Sequence, residues 1–275
     1  MNKISRYTFW TTLAVFILAL AMVGPVKADL VRTQTINLHK GWNAVFLQVT
    51  PLNTNAAAVF SGTPISIVTT YFGGNSSVEF IQNPGAIKWK KDGWGAWYAP
   101  GRPDSFLSSL AAIHGNRAYL VYAGQDFTWT IQGTVSFQRT KWKSDSFNLV
   151  GFCLDDQSPP TFDKFFTGSS AHKPYKIYRL VNDQWTLVID PLRTTMKSGE
   201  AYWVYCNGGS DYQGPLMARL GGGQAVVFGT TGETWIYLAN QSTDPMGLKV
   251  ETITGDAGLP LAYKIRGVSP GQIQD

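Results

Sequence analysis

The chain has 275 residues and a formal net charge of +5, of which Lys3, Arg6 and Lys27 supply three charges within the first 28 residues, where there is no acid. From Asp29 onward the net charge is therefore +2, too small to argue for nucleic acid or an anionic membrane surface by long-range attraction. Charged residues are only 15% of the chain, and its apolar runs are short, aromatic-rich and bounded by Gly, Pro, Asn or Ser, which is the composition of strands.

Residues 1–28 read as an export signal. Lys3 and Arg6 make a basic start, Phe9 to Val23 is an apolar run interrupted only by Thr11 and Thr12, and Val26-Lys27-Ala28 supplies the cleavage region. The run is shorter than the roughly 20 residues a membrane-spanning helix needs; a retained anchor is the alternative. No cysteine follows it to carry a lipid. The expected mature chain starts at Asp29, has no second long apolar segment and so no expected membrane span. The expected location is outside the cytoplasm: extracellular, cell-surface or periplasmic.

The first strand, Ile36-Asn37-Leu38, leads through a His39-Lys40-Gly41 turn into Trp42 to Val49. Alternation puts Val45, Leu47 and Val49 on one face, the expected core side. A Pro-bearing turn, a short helix over Asn55 to Phe60, and strands over Ile65 to Phe72 and Ile87 to Tyr98 follow.

Much of this is then repeated. Ala118-Tyr119-Leu120-Val121-Tyr122 reads against Ala201-Tyr202-Trp203-Val204-Tyr205, with Gly115 and Gly199 before them and Gln132-Gly133 and Gln213-Gly214 after. Upstream, Trp42-Asn43-Ala44-Val45 matches Phe147-Asn148-Leu149-Val150, and Phe60 matches Phe166. Self-similarity in a fixed order of landmarks decides architecture ahead of local propensity. We place repeat A at 34–138 and repeat B at 139–220, with about 23 extra residues in A between Gly62 and Ala118. In B the apolar face is Val150, Phe152 and Leu154, the helix candidate Thr161 to Phe166, and the strands Tyr175 to Leu180 and Gln184 to Ile189. The expected fold is mainly β: two tandem antiparallel sandwich-like or barrel-like units, each with one short helix.

The order Gly41-Trp42-Asn43, Phe60, Trp97-Tyr98-Ala99-Pro100, Ala118-Tyr119-Leu120-Val121, Gly133 resembles tandem repeat modules of exported bacterial cell-surface proteins. Repeat B shows it as Phe147-Asn148, Phe166, Trp185, Pro191, Ala201-Tyr202-Trp203-Val204 and Gly214, departing at Ser146-Phe147, where Gly-Trp is expected. The resemblance covers about two thirds of the chain and implies a non-catalytic β module. In such proteins an immunoglobulin-like sandwich follows. Here residues 221–275 offer Val226-Val227-Phe228, Thr234 to Asn240 and Leu248 to Ile253 as strands, too few for the roughly 100 residues of that fold. Three readings stay open: a fragment, strands packed on repeat B, or a sheet completed by a partner strand.

Cys153 and Cys206 lie in two of the strands that define repeat B, and export permits a disulfide between them; two buried free thiols are the alternative. His39, His114 and His172 share no metal-ligand spacing. Asp155-Asp156 reads as a solvated pair, Gly221-Gly222-Gly223 as a linker, and Lys141-Trp142-Lys143 and Lys88-Trp89-Lys90-Lys91 as solvated hairpin rims rather than nucleic-acid sites. No catalytic residue, metal or cofactor is expected. The sharpest binding candidates are Trp89 and Trp94, aromatics on the Gly-rich insertion of repeat A without an evident counterpart in B, placed to stack on a sugar or anchor a surface protein. The expected function is a structural or adhesive surface module, the alternative an extracellular carbohydrate-binding or carbohydrate-active protein.

Overall fold

Repeat A folds as β1 (Val31–Leu38), β2 (Gly41–Leu47), β3 (Thr50–Pro51), α1 (Ala56–Val59), β4 (Ile65–Tyr71), β5 (Trp94–Tyr98), β6 (Arg117–Ala123) and β7 (Phe127–Thr134). Repeat B supplies β8 (Ser146–Gly151), α2 (Phe162–Phe166), β9 (Ile177–Val181), β10 (Gln184–Leu187), β11 (Ala201–Cys206) and β12 (Leu216–Leu220), and β13 (Ile236–Asn240) follows. The computed structural model describes residues 31–72, 93–135, 138–220 and 232–248, with positions 226, 228 and 230. The export signal, Trp89, Gly221-Gly222-Gly223 and nearly all of the expected strand from Leu248 to Ile253 fall outside these residues. Among the described residues no helix is long and apolar enough to cross a membrane.

The two expected repeats share one strand order. Repeat A has a four-stranded antiparallel sheet β2-β6-β4-β5, and repeat B has β8-β11-β9-β10, the same path through the chain. Registers agree as well: Trp42 faces Tyr122 and Val45 faces Tyr119 in A, while Phe147 faces Tyr205 and Val150 faces Tyr202 in B. The ring pairs Trp42–Tyr122 and Phe147–Tyr205 are both edge-to-face, at 5.4 and 5.2 Å.

Polar residues repeat their tasks too. Asn43 accepts from the His39 N–H and donates to the His39 and Gly41 carbonyls; Asn148 does the same with Lys143 and Ser146. Each closes the turn ahead of its strand with an otherwise costly buried amide. Tyr119 Oη bonds the N–H and carbonyl of His114, and Tyr202 Oη those of Lys197. Asn55 and Thr161 cap α1 and α2 by accepting from Ala58 N and Lys164 N. The positive-φ partner of Gly199 (φ 73°) before these tyrosines is Asn116 (φ 52°), one residue beyond the Gly115 matched by sequence.

Both faces of each sheet are covered. In repeat A, Val45, Val68, Tyr119 and Val121 pack against Ile36, Leu38, Trp129 and Ile131 of a three-stranded sheet β1-β7-β3, with Phe60 at the end of α1. In repeat B, Phe152, Ile177, Tyr202 and Val204 pack under α2 through Phe162, Phe165 and Phe166, with Met196 and Tyr212. The faces expected to hold these cores therefore do so.

The opposite faces, looser in sequence, meet each other. Trp42, Ala96, Tyr98 and Leu120 of repeat A bury against Leu180, Trp185 and Trp203 of repeat B. The packing is close to isologous, with β2 against β11 and β6 against β8, as at a two-fold interface. Near its centre lie the equivalent alanines Ala118 and Ala201 with Phe46, and a Cβ on Gly151 would fall 2.2 Å from Phe46 Cβ. Phe46 and Gly151 are equivalent positions, so the large residue of one repeat fills the place left by the smallest residue of the other. The two expected units thus belong to one compact body, Val31–Gly247.

β12 pairs only with β13 among the described residues. This hairpin leaves Trp235, Ile236, Tyr237 and Leu238 exposed. The expected strand at Val226-Val227-Phe228 is not in a strand at its described positions, Val226 and Phe228.

Candidate functional site

The aromatic candidates of repeat A are placed by strand register. Val68 pairs with Val121, and Ile177 with the equivalent Val204; this equates Tyr71 with Leu180, and hence their partners Trp94 and Trp185. Trp94 therefore has a counterpart in Trp185, which the sequence pattern alone sets against Trp97. The Trp94 and Trp185 rings approach Trp203 at 6.3 and 6.2 Å, and Trp94 also lies 5.2 Å from Tyr71. Trp94 is half-buried in the seam between repeats and is not an exposed stacking platform. Trp97 is buried in the repeat A core. The insertion itself is the connection between β4 and β5: residues 72–93 in repeat A, against Asn182 and Asp183 alone between β9 and β10.

The disulfide expectation is corrected. Cys206 lies opposite Ser146 at the start of β8, whereas Cys153 lies beyond Gly151 at its other end. The intervening strand spans roughly 17 Å at about 3.3 Å per residue, and a disulfide needs Cα atoms within about 7 Å. Both thiols are free: Cys206 is buried and donates to the Gly208 carbonyl, and Cys153 is exposed.

A concavity of about 1270 Å³ runs where the ends of β4 and β6 meet β8, the 138–143 link and the start of β12. Arg117, Arg139, Lys141 and Lys143 line it, and no Asp or Glu does among the described residues. The link is held from both sides. Arg139 Nη2 donates to the Ala218 carbonyl at 2.7 Å, Thr140 and Gln213 exchange two hydrogen bonds, and Trp142 Nε1 donates to the Tyr212 carbonyl at 2.6 Å. Trp142 is thereby an anchor, its ring 4.2 Å from His172, and the lysines beside it border an open groove rather than a hairpin rim.

Arg117 marks where the repeats part company. Its guanidinium lies 4.5 Å over the Phe72 ring, and no ion pair holds it among the described residues. The equivalent position in repeat B is Glu200, tied by two oxygens to Arg179 (2.7 Å at the shortest) and accepting from Tyr202 Oη. Burial, with the Glu200 charge second, holds the Tyr202 phenol above its usual range. Repeat B thus closes this position with an internal ion pair, while repeat A presents a cation to the groove. Arg117 and Phe72 are not singled out by the sequence pattern; their signal is the Arg-for-Glu difference immediately before each Ala-Tyr strand.

Other displaced titrations have local causes. Burial pushes Tyr119 up to about 12 and His172 down to about 4. His172 Nδ1 bonds Ser169 Oγ at 2.6 Å inside the aromatic core of repeat B. Among the described residues no group of three or more His, Cys, Asp or Glu is placed to hold a metal ion. The fold and the groove define a mainly antiparallel β protein with a cation-lined cleft. The chain matches no protein-family model, no curated protein and no solved structure.

Proposed function

We propose that this chain is an exported surface module with a structural or adhesive role, in which two fused repeats form a rigid scaffold and the chemistry resides where the repeats differ. The observation that carries the proposal is the packing of two like sheets face to face. It spends the shared residues on the fold and leaves the groove, with Arg117 where its twin has Glu200, as the differentiated surface. The export-type N-terminus supports the location. The displaced tyrosines and His172 are accounted for by core burial, which supports a binding role over catalysis.

The test is expression with the N-terminus intact, followed by fractionation and N-terminal sequencing. Processing near Ala28 and recovery outside the cytoplasm are expected; an unprocessed cytoplasmic chain would sink the proposal. A second reading, extracellular carbohydrate binding, is favoured by the groove rather than by the tryptophans of the insertion.

A further inference from the structure

We infer that the groove between the repeats is a binding site for an acidic polysaccharide, its Arg117, Arg139 and Lys141 engaging carboxylate or sulfate groups along the polymer. This deepens the carbohydrate-binding reading above and rests on it.

Three observations select this ligand. The described lining carries four cations and no carboxylate, a concentration of one sign in a concave wall that focuses potential far beyond what the modest overall charge does. Its volume, about 1270 Å³, exceeds the roughly 300–1000 Å³ of small-molecule pockets, so it suits several units of a chain.

The aromatics on it are already engaged. Phe72 lies under Arg117, Tyr71 packs against Trp94 and Trp203, Phe147 against Tyr178 and Tyr205, and Trp142 against His172. Single-stranded nucleic acid is held by bases stacking on available rings, and neutral sugars are gripped in the same way. A polymer recognised through its charges needs only what this groove presents: a guanidinium held in orientation by the Phe72 ring and an exposed lysine, Lys141, on a link fixed by Trp142 and Arg139.

The experiment measures binding of the purified chain to four probes of matched length: an oligogalacturonate, a heparin oligosaccharide, a neutral xylo-oligosaccharide and oligo-dT. Binding to at least one acidic glycan is expected, weakening about tenfold or more between roughly 50 and 300 mM salt. Arg117→Gln is expected to weaken it about tenfold, the loss of one charge-assisted contact, and Lys141→Glu by at least as much, because it also sets a carboxylate against the acidic ligand. Lys197→Glu, which makes the same charge change as Lys141→Glu at another exposed site, is expected to leave it within about twofold. The bound glycan is also expected to slow maleimide labelling of Cys153, which lines the groove.

Xylo-oligosaccharide binding as tightly as either acidic glycan overturns the charge assignment while sparing the carbohydrate reading. Tighter binding of oligo-dT, or acidic-glycan binding indifferent to both groove variants, overturns the site. Binding of no glycan overturns the inference and the carbohydrate reading together, and leaves export and surface location to be judged by fractionation. Lys141 is exposed, so its variant keeps the test open should Arg117→Gln fold poorly.

Discussion

Phe46 and Gly151 show how one residue pair makes two similar repeats complementary. Because a Cβ on Gly151 would overlap the base of the Phe46 side chain rather than its tip, Gly151→Ala is expected to cost about 1–3 kcal/mol as an overpacked site. In a Phe46→Ala background the same change is expected to cost almost nothing, and a double-mutant cycle in urea reads the coupling directly. His172 supplies a pH dependence. Its proton is bound below about 6.5 in the unfolded chain but only below about 4 in the folded one, so the unfolded state takes up protons first as pH falls. Stability is therefore complete above pH 6.5 and declines toward pH 4, by about 3 kcal/mol at most; His172→Phe is expected to flatten that slope in urea midpoints measured across the window. The thiols give a third outcome. Native protein should react with maleimide at Cys153 alone, and unreduced, denatured protein should show two free thiols, because the strand geometry keeps them apart.

The turn between β9 and β10 locks the repeats together at the level of elements. Asn182 and Asp183 both have positive φ, 49° and 63°, as a two-residue hairpin turn of primed type requires. The turn delivers Asp183 Oδ1 to the Trp42 N–H at 2.5 Å. Gly41, at φ 105°, has no room there for a side chain, since its Cβ would lie 2.6 Å from the same oxygen. Asp183→Ala is expected to lower stability by about 1–3 kcal/mol by orphaning that N–H, with Asp183→Asn recovering part because its amide oxygen also accepts; urea unfolding checks both. Most strands of the two repeats, both short helices and the inward face of β2 were legible in sequence because alternation and turn signals are local. The Trp94–Trp185 equivalence was not, because it depends on cross-strand register, and the long insertion before β5 had displaced the alignment by three residues. The groove escaped for a similar reason: Arg117 and Lys141 come from separate elements, and only the meeting of two sheets brings them to one wall.

Over the whole molecule, the central layer makes the repeats interdependent. Trp203 is fully buried between the sheets and touches Trp94 and Trp185, so Trp203→Ala is expected to cost about 3–5 kcal/mol. Loss of far-UV circular dichroism and of tryptophan burial should coincide in one transition, in this variant and in the parent; two separated transitions would contradict a single body. The same layer bears on synthesis. Repeat A emerges first, and its Trp42, Tyr98 and Leu120 surface has no cover until the chain has been extended past Trp203. N-terminal segments begin to fold during elongation, and bare apolar faces are where aggregation starts. The nascent first half is thus a half-finished sandwich, and a holding chaperone would be needed most between the completion of β6 and the arrival of β11.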